Sequence, residues 1–270
     1  MKTPHNGFKH ALAAGGFQVG VFLGLTDPYA TEIMAGAGFD WLLIDAEHAP
    51  NDARSVLAQL QVMAPYPVAS VVRVVDHDPA RIKQYLDLGV QSLLVPMVES
   101  ADQARALVRA MRYPPSGIRG VGTGLARAAH WNGFTDYFAC ADAQMCLIVQ
   151  IESAAGLAAL DDIVAVEGVD AVFIGPSDLA ASLGHLGQPG HPEVRAAVEG
   201  AITRIAGGGK AAGVFCADPA AVARLRVLGA RFVAVGTDTL LLRNAATALA
   251  ARACDGEPEA EGVPPAAAGY

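Results

Sequence analysis

Residues 145–152, MCLIVQIE, run through five apolar positions without alternation and then break on Gln150 and Glu152. A strand apolar at successive positions is buried on both faces, as in a parallel sheet covered by helices. Residues 171–178, AVFIGPSD, behave the same way, breaking at Gly175-Pro176 and delivering Asp178. Two buried strands that each end in a carboxylate set both the fold and the chemistry to be explained.

Working outward, one unit repeats: an apolar, β-branched run, a polar or Gly/Pro break, then a helical pattern closed by glycine. QVGVFLGL (18–25) precedes DPYATEIMAGAG (27–38), where Asp27 is placed to cap and Pro28 occupies the first helical turn. FDWLLIDAEH (39–48) precedes NDARSVLAQLQVMA, PVASVVRVV (67–75) precedes DPARIKQYLDLG, and QSLLVPMV (91–98) precedes SADQARALVRAMR. Beyond the two strands already quoted come AAGVFC (211–216) with DPAAVARLRVLG, and RFVAVGTD (231–238) with TLLLRNAATALAARA. Eight such strands predict an α/β fold of the (β/α)8 TIM-barrel type, a single domain over residues 1–254; an open doubly wound sheet is the alternative. At 270 residues the chain matches the roughly 250 usual for such a barrel. Residues 113–144 form a long insertion, a kind of loop that is often functional. The tail DGEPEAEGVPPAAAGY (255–270) lacks periodicity and is expected to be disordered.

A formal charge of −8, with no run among the 19 Lys and Arg, argues against nucleic acid as a partner. The N-terminal MKTPHNGFKHALAAGGF has no apolar core of signal-peptide length and no stretch is long enough for a membrane span, so a cytoplasmic location is expected. The four cysteines show no metal spacing and are expected to be free thiols. No pair of histidines lies at the spacing of a structural zinc site, so none is expected.

In a barrel the active face lies at the carboxyl ends of the strands. The residues there are Asp45, Glu47 and His48, then Arg73, Gln150, Glu152, Ser177 and Asp178, with Cys216, Asp218 and Asp238 after the last two strands. Asp78, Asp218 and Asp238 stand immediately before helices and read as caps. The acids Asp45, Glu47, Glu152 and Asp178 converging on one rim raise one another's pKa, which a divalent cation relieves. Glu152 and Asp178 as its only protein ligands leave most of an octahedral shell open, which suits Mg²⁺ or Mn²⁺ with a bidentate oxygen substrate. A 2-oxo acid chelates such an ion, and the charge that appears when its C3–C4 bond breaks falls on an oxygen near Arg73. No lysine stands at a strand end except Lys210, which opens the seventh strand on the opposite face, so a Schiff-base aldolase lacks its nucleophile.

WLLIDAEHAPND (41–52), VVRV (71–74), YPPSGIRGVG (113–122), VQIES (149–153) and IGPSDLAASLG (174–184) together resemble the HpcH/HpaI class II pyruvate aldolase family. The nearest likeness is to its 4-hydroxy-2-oxoheptane-1,7-dioate aldolases, with 2-dehydro-3-deoxyglucarate aldolases close behind. The resemblance implies a (β/α)8 homo-hexamer whose subunits exchange their last helix. It also implies a divalent ion (Mg²⁺ or Mn²⁺, with Co²⁺ as a further option) on Glu152 and Asp178, and reversible cleavage of 4-hydroxy-2-oxo acids to pyruvate and an aldehyde such as succinic semialdehyde, in aromatic compound catabolism. Gln150 would lie beside the pyruvate carbonyl, Arg73 would stabilise the enolate, and His48, oriented by Asp45, would move the 4-hydroxyl proton. The N–H groups of Ser177 and Asp178, after the Gly175-Pro176 turn, would hold the pyruvate carboxylate, and Asp87 would reach a neighbouring subunit's site. A 2-dehydro-3-deoxy sugar acid is the alternative substrate. A CoA-thioester lyase of the citrate lyase or malyl-CoA lyase type is the alternative reaction, for which Arg119 and Arg127 would supply basic groups.

Overall fold

The computed structural model describes residues 1–255, and the tail expected to be disordered lies, beyond Asp255, outside them. Helix α1 (Gly7–Ala13) comes first, followed by strand β1 (Gln18–Leu23), α2 (Pro28–Ala35), β2 (Trp41–Asp45), α3 (Ala53–Met63), β3 (Ala69–Arg73), α4 (Pro79–Asp87), β4 (Ser92–Val95) and α5 (Ala101–Met111). The second half contains α6 (Tyr137–Gln144), β5 (Cys146–Ile151), α7 (Ala154–Ala158), α8 (Leu160–Val164), β6 (Ala171–Ile174), α9 (Pro176–Ser182), α10 (Pro192–Gly207), β7 (Ala211–Phe215), α11 (Pro219–Val227), β8 (Ala230–Thr237) and α12 (Asp238–Asp255). The eight strands close in sequence order, every pair parallel, β8 returning to β1. The barrel expected from eight buried strands is the structure found.

Strand parity separates two apolar layers. Phe22, Trp41, Leu43, Val71, Leu94, Ile148, Phe173 and Phe232 fill the barrel interior. Leu42, Ile44, Val72, Leu93, Val149, Val172 and Val233 face the helices. Since side chains alternate, Asp45, Arg73 and Gln150 share parity with the interior set and are carried to its upper rim. The first helix, not anticipated in the sequence, inserts Phe8 and Leu12 into the interior cluster, Phe8 meeting Trp41 at 5.8 Å and Phe232 at 5.6 Å between centroids.

The interior rings need glycine beside them. A Cβ on Gly213 would stand 2.2 Å from the Phe232 ring. Gly213→Ala is therefore expected to destabilise the protein by about 1–3 kcal/mol through overpacking. Gly200→Ala, on the exposed face of α10 where a Cβ meets nothing within 4 Å, is expected to stabilise by roughly 0.5–1 kcal/mol. Urea midpoints of the two variants, moving in opposite directions, check both.

Asp27, Asp78 and Asp218 cap α2, α4 and α11 through their carboxylates, as the sequence indicates. The Leu240 N–H of α12 is accepted by Thr237 Oγ1, and Asp238 is the first residue of that helix rather than its cap. Its buried carboxylate accepts from the backbone N–H groups of Gly24 and Leu25, stitching the end of β1 to the end of β8. The insertion carries α6 and a small core of Tyr113, Ala129, Tyr137 and Ala141. It joins the end of α5 to the start of β5, which puts it at the amino-terminal end of the barrel, away from the catalytic rim. There Asn6 bonds to Gln144 and Thr3 to Asp136. The expectation that this long loop is functional in its own chain's site is not supported by that topology.

Candidate active site

The upper rim is organised around Arg73. Asp45 and Arg73 are direct register partners on β2 and β3. The guanidinium donates from Nε to Asp45 Oδ1 at 2.9 Å and from Nη2 to Asp45 Oδ2 at 2.6 Å, a fork-to-carboxylate pair. Its Nη1 lies 3.1 Å from Glu47 Oε2, an ion pair without hydrogen-bond geometry, since that oxygen is buried with no hydrogen-bond partner. The cation also stacks over Phe22, 5.1 Å from the ring centroid. Burial works against ionisation of Asp45, but the Arg73 hydrogen bonds and charge outweigh it and hold the carboxyl below its ordinary range. For Arg73 burial likewise opposes the charge, and Asp45 and Glu47 more than restore it.

This arrangement corrects one expectation. Asp45 does not orient the imidazole of His48: both carboxylate oxygens are committed to Arg73, and His48 offers Asp45 only its backbone N–H, at 3.4 Å. The His48 ring is largely exposed, and the nearest acid to it is Glu47, 3.7 Å from Nε2. Glu47 was among the rim acids without an assigned role; its carboxyl is raised by burial, restrained by Arg73 and pushed further by the charge of Glu152. The loop that carries these groups is braced from below. Asn51 Nδ2 donates to the Asp45 carbonyl at 2.8 Å, and Gln59 Nε2 donates to Asn51 Oδ1 at 2.7 Å.

Across the barrel mouth, Glu152 follows Gln150 in parity at the end of β5. Gln150 Nε2 donates to Glu152 Oε2, and the backbone N–H of Met97 donates to Glu152 Oε1 at 2.9 Å. Met97 sits at φ 54°, a costly conformation for a non-glycine residue, and delivers that N–H from the segment after β4. No sequence pattern marked it. Gly175 closes under the pair: a Cβ there would lie 2.7 Å from Glu152 Oε2 and 3.0 Å from Gln150 Nε2. Pro176 then opens α9, leaving Ser177 and Asp178 exposed in its first turn, where helix N–H groups lack intrahelical partners.

These groups fit a divalent cation. Burial raises the Glu152 carboxyl and the charge of Asp178 raises it further, against the partial relief of the Met97 and Gln150 bonds and of the Arg73 charge. Among the described residues no Lys, Arg or His nitrogen forms an ion pair with Glu152 or Asp178, and the Arg73 guanidinium pairs with Asp45 and Glu47 instead. Gln150 Oε1 is buried without a donor. Oxygen ligands, an unbalanced negative charge and a wall kept open by glycine are what Mg²⁺ or Mn²⁺ requires.

Asp87, Arg119, Arg127 and Lys210 fall outside this cluster. Asp87 ends α4, which runs back from the rim, and its carboxylate accepts from the buried Arg119 at 2.9 Å. Arg119 also reaches Tyr137 Oη and stacks over Tyr113, while Arg127 donates to the Leu88 carbonyl. Lys210 stands at the foot of β7, as expected.

With the geometry in place, comparison with known proteins is informative. The family model described as HpcH/HpaI aldolase/citrate lyase matches residues 18–245. A hydroxypyruvate/pyruvate aldolase of Deinococcus radiodurans is 62% identical over 262 residues, covering 95% of each chain. A 4-hydroxy-2-oxo-heptane-1,7-dioate aldolase of Escherichia coli is 58% identical over 247 residues, covering 92% of this chain and 94% of its own. Among solved structures, an HpcH/HpaI aldolase/citrate lyase family protein of Burkholderia cenocepacia superposes with a TM-score of 0.87 at 42% identity, over 91% of this chain and 98% of that one.

Proposed function

The chain belongs to the HpcH/HpaI aldolase/citrate lyase family, and from that premise we propose a divalent-metal-dependent aldolase that cleaves 4-hydroxy-2-oxo acids to pyruvate and an aldehyde. The observation that carries this reading is the division of the rim: one guanidinium fixed by two carboxylates, facing a second carboxylate pair, Glu152 and Asp178, that has no cation of its own. The relatives' names supply the substrate class. One is named for 4-hydroxy-2-oxo-heptane-1,7-dioate, whose cleavage gives succinic semialdehyde; another is named for hydroxypyruvate, which adds a nucleophile that the sequence reading did not include.

Each residue then has a task. Glu152 and Asp178 would hold the ion, which when bound supplies the Lewis acid that draws charge onto the 2-oxo oxygen as C3–C4 breaks. Arg73, with Nε and one Nη2 N–H engaged by Asp45, keeps its remaining N–H groups for that oxygen, pre-oriented so that no reorganisation is needed as charge develops. Gln150 orients Glu152 and borders the carbonyl. The first-turn N–H groups of Ser177 and Asp178 would take the pyruvate carboxylate. His48, exposed at the mouth, would move the proton of the 4-hydroxyl, with Glu47 beside it.

The CoA-thioester alternative loses its basic groups. Arg119 and Arg127 belong to the insertion at the opposite end of the barrel and are committed to Asp87, Tyr137 and a backbone carbonyl. A homo-hexamer with exchanged last helices is supported by α12, which leaves Leu240, Leu241, Leu242 and Leu249 exposed on a single chain. Such an assembly is also what would bring Asp87 to a neighbouring site. No helix of the described residues is long and apolar enough to cross a membrane.

The deciding experiment needs no aldehyde. Chelator-stripped protein is incubated with pyruvate in D₂O, with Mg²⁺, Mn²⁺ or neither, and the methyl signal is followed by proton NMR. Metal-dependent exchange is expected; no exchange with either ion overturns the reading. In the same assay His48→Ala is expected to retain exchange within about tenfold while losing roughly 10²–10⁴-fold in cleavage of the hydroxy acid, the usual worth of a general base. Equal losses in both would remove His48 from the 4-hydroxyl.

A further inference from the structure

Beyond the residues assigned to the reaction, the loop between α9 and α10, on the carboxyl-end side of the strands, brings together two histidines. His185 and His191 are separated by five residues, within the His-x3–5-His spacing of zinc motifs, and their rings stack with centroids 3.6 Å apart and planes 18° from parallel. The intervening loop folds back on itself. Gly184 and Gly187 adopt φ of 85° and 75°, and backbone bonds run from Gln188 to His185 and from His191 to Gln188, each 2.9 Å. Glu193 completes the group: its Oε2 lies 2.9 Å from His185 Nε2, and its backbone N–H donates to His191 Nδ1 at 3.3 Å, which makes His191 the cap of α10.

We propose that His185, His191 and Glu193 form a second divalent-cation site, for a borderline transition metal such as Zn²⁺, Ni²⁺ or Cu²⁺, clipping the loop after α9 to the first turn of α10. Among the described residues this is the group of three whose His, Cys, Asp or Glu donor atoms approach closely enough, all within 4.8 Å of one another. Bonds near 2.0–2.1 Å in a tetrahedral site place donors about 3.3 Å apart. The widest pair therefore closes by no more than about 1.5 Å, and the stacked rings, 18° from parallel, turn out of their stack so that their in-plane lone pairs converge on the ion. The ion takes the place of the proton shared by His185 and Glu193, while His191 keeps its capping bond at Nδ1 and ligates through Nε2.

Donor chemistry separates the two sites. Two imidazole nitrogens and one carboxylate select borderline metals, whereas the all-oxygen pair Glu152 and Asp178 selects hard ones. With three protein ligands the site leaves a position for water. Its place in the fold gives it a consequence, since α9 begins at Gly175-Pro176 and carries Asp178 in its first turn. An ion here closes the short loop at the far end of that helix and is expected to raise thermal stability without entering the reaction.

The test uses the full-length chain saturated with Mg²⁺. Zn²⁺ titrated calorimetrically is expected to bind with one site per chain and to raise the melting temperature. His185→Ala, at a residue with no part in the proposed reaction, is expected to weaken that binding by more than about tenfold, since even an outer-shell partner of a metal is worth as much. The same variant keeps normal aldolase turnover with Mg²⁺ and shows no Zn²⁺-dependent stabilisation. Glu152→Ala, which lacks a rim carboxylate, keeps the Zn²⁺ site, and Cu²⁺ bound to it shows imidazole nitrogen coupling by pulsed EPR. Uptake that vanishes in Glu152→Ala, or that persists unchanged in His185→Ala, overturns the proposal.

Discussion

Glu152→Gln lowers aldol cleavage by about 10³-fold or more, the kinetic equivalent of the several kcal/mol a Lewis-acid cation supplies. The substitution keeps an acceptor for the Met97 N–H, which a truncation to alanine would leave unpaired, so the fold is preserved while a negative ligand is lost. Mn²⁺ binding followed by EPR is expected to fall in parallel with activity, and Asp178→Asn is expected to do the same from the other side of the ion. The stability consequence runs opposite to the kinetic one. Glu152 is raised by burial and by Asp178, so in the metal-free protein its ionisation costs stability as pH rises through its folded pKa. Metal-free Glu152→Gln is therefore expected to unfold at a higher urea concentration than metal-free wild type at neutral pH. A variant that keeps wild-type turnover after chelation and Mg²⁺ replacement would show that the ion sits elsewhere.

The second large effect belongs to the Asp45–Arg73 pair. Arg73→Ala is expected to lower turnover by about 10²–10³-fold, the scale seen when one preorganised donor is removed from a developing oxyanion, with Mn²⁺ uptake unchanged. It also strands Asp45 as a buried carboxylate, which costs about 3–5 kcal/mol. The pH dependence identifies the cause. In the wild type the Asp45 carboxyl lies below the ordinary Asp value of 3.8, so the pair's stabilisation is complete above that value and is lost as pH falls through the lowered folded pKa. Without Arg73, burial, the largest influence on Asp45, is opposed only by the Glu47 and His48 backbone N–H groups, so the carboxyl is expected to rise, and the variant's deficit to be present at neutral pH and to shrink on acidification. Urea denaturation at pH 7 and near pH 4 measures that convergence. A deficit independent of pH would mean that Arg73 stabilises the barrel by packing on Phe22 rather than by charge.

Much of the site was legible because a parallel barrel concentrates its chemistry where apolar runs stop. Glu152, Asp178, Gln150, Arg73 and Asp45 are marked by position alone, each at or just past the end of an apolar run. The caps at Asp27, Asp78 and Asp218 are legible for a similar reason: a cap is a bond between residues two or three apart. Asp238 reads as one more cap by that rule, yet its carboxylate crosses to the Gly24 and Leu25 amides some 214 positions away.

What the sequence by itself determined was the set of strands, their burial on both faces, the closure into eight units and the list of rim residues, because periodicity and chain punctuation are local properties. What only the tertiary structure decided was who holds whom. Register places Arg73 opposite Asp45 and so takes that acid from His48; a left-handed Met97 turns an amide onto Glu152; a folded-back loop stacks His185 on His191. Each is a contact between side chains or amides whose distance depends on how separate segments pack, and no repeat along one chain encodes that distance.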